Sequence, residues 1–209
     1  KALGWTKPWD QARIVALDTA TGRERWQARR GLSRIAHGVP AIWKPDRGPA
    51  QLVSEAGDVV QGFDLRTGER LWSSEVIGEG KVPSTVLGDG LVFTAGGYSG
   101  RESIKAFRLG GRGDLGTTNQ VWEQRKGMPK VPSMLFVRPH LFALTDGGIV
   151  TCLKAGTGEI VWRFHFMLGA TSYAIAGTDA LRLVTDWQIE AADATDRLDR
   201  LVPRLMSFL

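Results

Sequence analysis

A chain of 209 residues with a single cysteine can form no intrachain disulfide and can assemble no thiolate metal cluster. Histidine is nearly as scarce, and the three residues present, His37, His140 and His165, stand too far apart for a metal-ligand spacing. No run reaches the roughly 18 consecutive apolar residues that a membrane helix needs, and the opening KALGWTKPWD lacks the apolar core of a secretory signal. That opening is abrupt, reaching a strand-like segment (Arg13 to Leu17) almost at once, so an upstream signal or anchor is an open expectation. Long stretches at helical spacing are few. These shortages remove disulfide scaffolds, cysteine-rich metal domains and helical membrane spans in this chain from consideration.

What is plentiful points elsewhere. Twenty-six Gly, nine Pro and eight Trp favour many tight turns and large packing residues over long helices. The net charge is +5 and the isoelectric point near 9.7. The densest basic stretch, RERWQARRGLSR (Arg23 to Arg34), reads as a solvated outer strand, since no nucleic-acid recognition motif or aromatic platform accompanies it. Cys152 alternates with its neighbours in GGIVTCLKAG and reads as a buried, inert thiol.

One phrase recurs. ALDTATGRERW (16–26) returns as GFDLRTGERLW (62–72) and as CLKAGTGEIVW (152–162), and a weaker copy, AFRLGG…QVW, ends at Trp122. The four tryptophans fall 40 to 50 residues apart, the interval of a four-stranded propeller blade. The widest gap, between Trp72 and Trp122, contains RGDLGTTNQ (112–120), a loop in place of the tight turn. Each period reads as four short strands separated by Gly, Asp and Pro turns, with Val39-Pro40, Val82-Pro83 and Val131-Pro132 marking where each module's first strand begins. A single such meander cannot cover both its faces, so it must stack on copies of itself, and a radial stack is a propeller.

These residues resemble the tryptophan-docking repeat A-x-D-x-x-x-G-x-x-x-W of quinoprotein-like (PQQ-like) β-propellers. The first copy matches fully at Ala16, Asp18, Gly22 and Trp26. The second carries Gly62, Asp64, Gly68 and Trp72, the third keeps Ala106 and Trp122, and the fourth has Cys152, Lys154, Gly158 and Trp162. The resemblance implies that each Trp wedges between neighbouring blades, against the small first residue of its own motif and the glycine of the next. It implies an all-β propeller of four-stranded antiparallel blades. About four to five blades are expected here, a sector of a larger and conceivably eight-bladed ring, with units near 1–30, 37–76, 81–126 and 130–167, a degenerate unit at 170–195 and a tail at 196–209.

For activity, the resemblance leaves two readings. One is a non-catalytic binding or scaffolding propeller of the periplasm or extracellular space, as in the lipoprotein that assists outer-membrane barrel assembly. Its protein partner would sit at the funnel or the inter-blade loops, of which 44–49 and 108–120 are the longest. The alternative is a fragment of an alcohol dehydrogenase that uses pyrroloquinoline quinone (PQQ) and calcium, and against it stands the absence of the adjacent cysteine pair typical of those enzymes. The aspartates fall in turns (Asp46, Asp89, Asp146) or in the docking phrase (Asp18, Asp64) and read as turn formers. Catalytic, cofactor-binding and metal-ligating residues are accordingly expected to be absent. Neither G-Y-S-G at 97–100 nor the glycines of LGGRGDLG precede a helix, so neither reads as a nucleophile elbow or a phosphate loop.

Overall fold

A computed structural model describes residues 8–76, 80–96 and 103–165. The expected degenerate unit at 170–195, the tail at 196–209 and the G-Y-S-G segment lie outside these residues. Among the described residues the regular structure is entirely β, in four sheets that are antiparallel except where β10 joins the second sheet in parallel. The first is a hairpin of β1 (Arg13–Leu17) and β2 (Glu24–Arg29). The second is the meander β3 (Ala41–Trp43), β4 (Gln51–Glu55), β5 (Val59–Asp64) and β6 (Arg70–Glu75). The third is β7 (Val86–Gly88), β8 (Leu91–Thr94), β9 (Ile104–Arg108) and β11 (Gln120–Gln124), interrupted by a two-residue β10 (Gly113–Asp114). The fourth is β12 (Leu135–Val137), β13 (His140–Leu144), β14 (Ile149–Lys154) and β15 (Ile160–His165). This is a sector of a β-propeller.

The repeated phrase builds the same turn three times. Asp18 donates its amide to Arg23 O while Gly22 N–H donates to Asp18 O, and the pairs Asp64/Glu69 with Gly68, and Lys154/Glu159 with Gly158, repeat this bond for bond at 2.8 Å. Each glycine holds a left-handed φ, +70°, +76° and +72°, where a side chain would be strained. Just before each turn the register slips by one residue, between Ala16 and Leu17, Gly62 and Phe63, and Cys152 and Leu153. That bulge sets the Trp opposite the small residue of its own motif: Trp26 on Ala16, Trp72 on Gly62, Trp122 on Ala106 and Trp162 on Cys152.

The core sits between blades. Trp72, Leu71, Val53 and Val60 of the second blade pack on Val92, Phe107 and Leu109 of the third. Trp122, Phe93 and Ala106 of the third pack on Leu141, Ala143 and Leu153 of the fourth. On the inner side, Thr85 N–H donates to Val39 O and Ser84 N–H to Ser133 Oγ, so the Val-Pro segments that precede β3, β7 and β12 are strapped side by side. Proline suits this place because it asks nothing of a ladder that has not yet begun.

Candidate functional site

The docking residues separate into three arrangements. Trp26 and Trp122 reach the following blade: the indole N–H of Trp26 donates to Leu65 O at 3.1 Å and that of Trp122 to Ala155 O at 2.8 Å. Their rings lie flat on Gly68 and Gly158, where a Cβ would stand 2.5 Å from Cε3 in each case. Trp72 differs. Its indole donates to Gln51 Oε1 of its own blade at 2.8 Å and covers Gly62, where a Cβ would overlap the ring.

The reason is the insertion. The loop after β9 turns back and lays β10 parallel to β6, Gly113 opposite Trp72 and Asp114 opposite Ser73. Leu115 N–H donates to Ser73 O, Glu75 N–H to Gly116 O, and Ser74 Oγ meets Asn119 Oδ1 at 2.8 Å. Of the two loops singled out for a partner, 108–120 therefore helps to close the second junction while residues 111–114, 117 and 118 stay exposed, and in the other Lys44 and residues 46–49 stand exposed. Trp162 makes the third arrangement: it touches Phe142 of its own blade, ring centres 5.8 Å apart, and is 45% exposed.

A charged cluster sits at the sheet end where the linkers cross. Asp58, in the β4–β5 turn, accepts the amide of Arg34 at 2.8 Å, and Asp146, in the β13–β14 turn, accepts that of Lys130 at 3.0 Å. Asp146 is thus more than a turn former: it ties one blade's turn to the incoming linker. Arg30 is buried, donating through Nη1 to Ser54 Oγ at 2.7 Å, while its own carbonyl accepts from Gln61 Nε2 at 2.7 Å. The basic stretch is therefore solvated only in part, because Arg30 leaves β2 and turns under the second blade. Burial lowers its guanidinium to about 10, which still leaves it charged at neutral pH.

Lys81 and Glu55 form a buried ion pair at 3.4 Å. Desolvation pushes the Glu55 carboxyl upward against the pull of Lys81 and Arg30, and its Oε1 has no hydrogen-bond partner among the described residues. Asp18 and Asp64 are held below the ordinary carboxylate value, the first chiefly by the Arg25 guanidinium and the second chiefly by the Thr67 amide. Burial raises the Cys152 thiol, so it is no ready nucleophile.

Calcium needs several converging oxygen ligands. Among the described residues no three His, Cys, Asp or Glu side chains gather to hold a metal, and the carboxylates at the linker-crossing end are engaged with amides or with Lys81. These residues do not fit a quinone–calcium centre. A cleft of about 260 Å³ on the outer hairpin, lined by Arg13, Gln27 and Arg29, is an open surface feature with no carboxylate in its lining.

A family model described as outer membrane protein assembly factor BamB matches residues 9–106, across the first two docking phrases and into the third. The likeness supports a PQQ-like propeller repeat over those residues, 98 of the 209. A second model, described as Tetracyclin repressor-like, C-terminal domain, matches residues 154–207, of which 154–165 fall in the last hairpin of the fourth blade. Among solved structures, the quinohemoprotein alcohol dehydrogenase from Comamonas testosteroni aligns with TM-score 0.54 at 14% identity, over 75% of this chain and 32% of that one. The computationally designed Ika8 protein aligns with TM-score 0.50 at 16% identity, over 71% of this chain and 42% of that one. A DNA gyrase subunit of Mycobacterium leprae is 34% identical over 89 residues, 43% of this chain and 6% of that one. The chain thus spans a small part of that curated relative and less than half of the two structural neighbours.

Proposed function

We propose that this chain is a binding or scaffolding module of the bacterial envelope or extracellular space, recognising a protein partner without catalysing a reaction. The observation that carries this reading is the use made of the carboxylates. Asp58 and Asp146 hold linker amides, Glu55 holds Lys81, and Asp18 and Asp64 hold the amides of their own turns, so each of these five carboxylates has a structural partner. The family model's description as an assembly factor supports the same reading, and the exposed turn at 44–49 is the place we assign to a partner. The 89-residue likeness to the DNA gyrase subunit covers too little of that protein to bring its activity here.

The test sets the two family activities against each other. The purified chain is titrated with PQQ and Ca²⁺ and assayed for a bound chromophore and for dye-linked alcohol oxidation. No stoichiometric chromophore and no turnover are the expected result; binding at one quinone per chain with turnover would establish the dehydrogenase reading instead. The positive arm is crosslinking in an envelope extract, with Lys44, Asp46 and Arg47 replaced by Ala. The scaffold reading requires loss of the crosslinked partner at unchanged thermal stability.

A further inference from the structure

The two longest loops meet at one end of the second blade. The ring of Trp43, one residue before Lys44, lies against Gly110, where a Cβ would stand 3.4 Å from Cη2. Gly110 itself falls midway between Arg108 and Arg112. Leu65 N–H donates to Ala50 O at 2.9 Å, tying the 44–50 turn to the β5–β6 turn, and β10 lies along β6 with Asp114 opposite Ser73. Lys44 and Arg47 on one loop and Arg108 and Arg112 on the other therefore belong to a single rim, and all four are exposed. None of the four forms an ion pair with another described residue, whereas elsewhere at this end Arg25 is paired with Asp18, Arg138 with Asp89 and Lys154 with Glu159. Two exposed carboxylates interrupt the rim: Asp46, and Asp114, which Arg70 Nη2 approaches at 3.7 Å. The β5–β6 turn adds Arg66 and Glu69, one charge of each sign, so the excess stays positive.

We propose that this rim binds an acidic polypeptide segment, one rich in Asp and Glu, across the seam where Gly110 meets Trp43. The inference rests on the reading of this chain as a protein-binding module, and it enlarges the partner site from the 44–49 turn to both loops. Unpaired like charges gathered on one surface repel one another and attract an anion. What else stands on the rim decides the class of anion. A nucleic acid bound without a sequence motif is held by aromatic rings on which its bases stack, and a membrane surface is entered by apolar side chains. Among the described residues, none of the large apolar side chains that are exposed lies in 44–50, 65–69 or 108–120. Asp46 and Asp114 would also repel an unbroken run of phosphates, whereas a polypeptide can set its carboxylates between them.

The experiment is fluorescence anisotropy of the 209-residue chain with a labelled, alternating Glu-Gly dodecapeptide as the probe. The expected result is binding that the Gln-Gly counterpart does not show and that weakens as salt rises, since exposed charges are screened beyond about 10 Å at roughly 0.1 M. Arg47→Glu and Arg112→Glu, one on each loop, should each weaken it about fivefold, the scale of losing and reversing an exposed pair. Thermal unfolding should not move, because both side chains are exposed. Lys126→Glu, at the sheet end where the linkers cross, should leave the affinity as it was. No binding of the Glu-Gly peptide, equal binding of the Gln-Gly one, or a loss with Arg47→Glu that Arg112→Glu does not share would each overturn the proposal. So would tighter binding of a short duplex DNA or of phosphatidylglycerol vesicles. The scaffold reading fails separately, when no partner is crosslinked through 44–49; a crosslinked partner beside a probe that does not bind overturns the acidic segment alone.

Discussion

The second and third junctions of this propeller sector begin from the same words and are fastened differently. Both linkers carry Lys-Val-Pro-Ser, at 81–84 and 130–133, and both donor blades present a Trp. At the third junction the ring does the fastening: Trp122 crosses to Ala155 O and Gly158, and Lys130 stays at the surface with only its amide engaged, on Asp146. At the second, Trp72 bonds within its own blade, Lys81 is buried on Glu55, and the crossing is made by the main chain of β10. A docking motif therefore specifies that a junction exists and where its ring lies, while the residues between motifs decide which atoms hold it. The receiving turn explains the difference, for the third blade lacks the Thr-Gly turn that would have accepted the Trp72 indole.

Four measurements break or sharpen this contrast. Trp72→Ala and Trp122→Ala should each lower the unfolding free energy by about 3–5 kcal/mol, as large-to-small changes at buried rings, measured by chemical denaturation. Equal losses would show that apolar burial dominates and that the indole's partner matters little; a stability unchanged by either would refute the docking geometry. The lysines should then diverge. Lys81→Met strands a buried carboxylate and should cost about 3–5 kcal/mol, offset at neutral pH to the extent that Glu55 takes up a proton. Lys130→Met should stay within about 0.5 kcal/mol, as for an exposed side chain.

Replacing residues 110–118 by a Thr-Gly turn should cost the second junction about 2 kcal/mol, two or more backbone hydrogen bonds at roughly 1 kcal/mol each. Hydrogen exchange would locate the loss in the Glu75 amide, which donates to Gly116 O, with the amides of the fourth blade unmoved. The smallest effect belongs to acid. Asp64 has its pKa depressed from 3.8 in the fold, so its contribution is whole above that unfolded value and disappears as pH falls through the lower folded one. Asp64→Asn should flatten this acid-side loss at the first junction. The third junction's turn, with Lys154 in the aspartate's place, should show no matching slope in exchange rates.

The legible part of this fold was carried by period and turn chemistry. Gly22, Gly68 and Gly158 announce turns because only a left-handed backbone explains glycine there, and the Trp four residues on announces a packed face. Strands β3, β7 and β12 could be placed from the Val-Pro that precedes each. What stayed hidden has physical reasons too. The return of β10 onto β6 pairs two residues of a glycine-rich loop in parallel, and so short a ladder leaves no alternation to read. Arg30 and Lys81 sit in basic or polar stretches that read as solvated, and their burial depends on Ser54 and Glu55, more than twenty residues away in each case. Trp162 matches its motif as well as Trp122 does, yet one is exposed and the other buried, since exposure depends on the neighbour and not on the motif.

The back-folded strand also sets an order of events during synthesis. Until about residue 116 has left the ribosome, the outer edge of β6 has no mate and its Ser73 and Glu75 amide and carbonyl groups face water. An unpaired edge is a template for other chains, so the interval between translating Glu75 and translating Gly116 is when a nascent second blade is most exposed to wrong pairing. The insertion thereby works as a delayed cover, delivered by the blade that comes next.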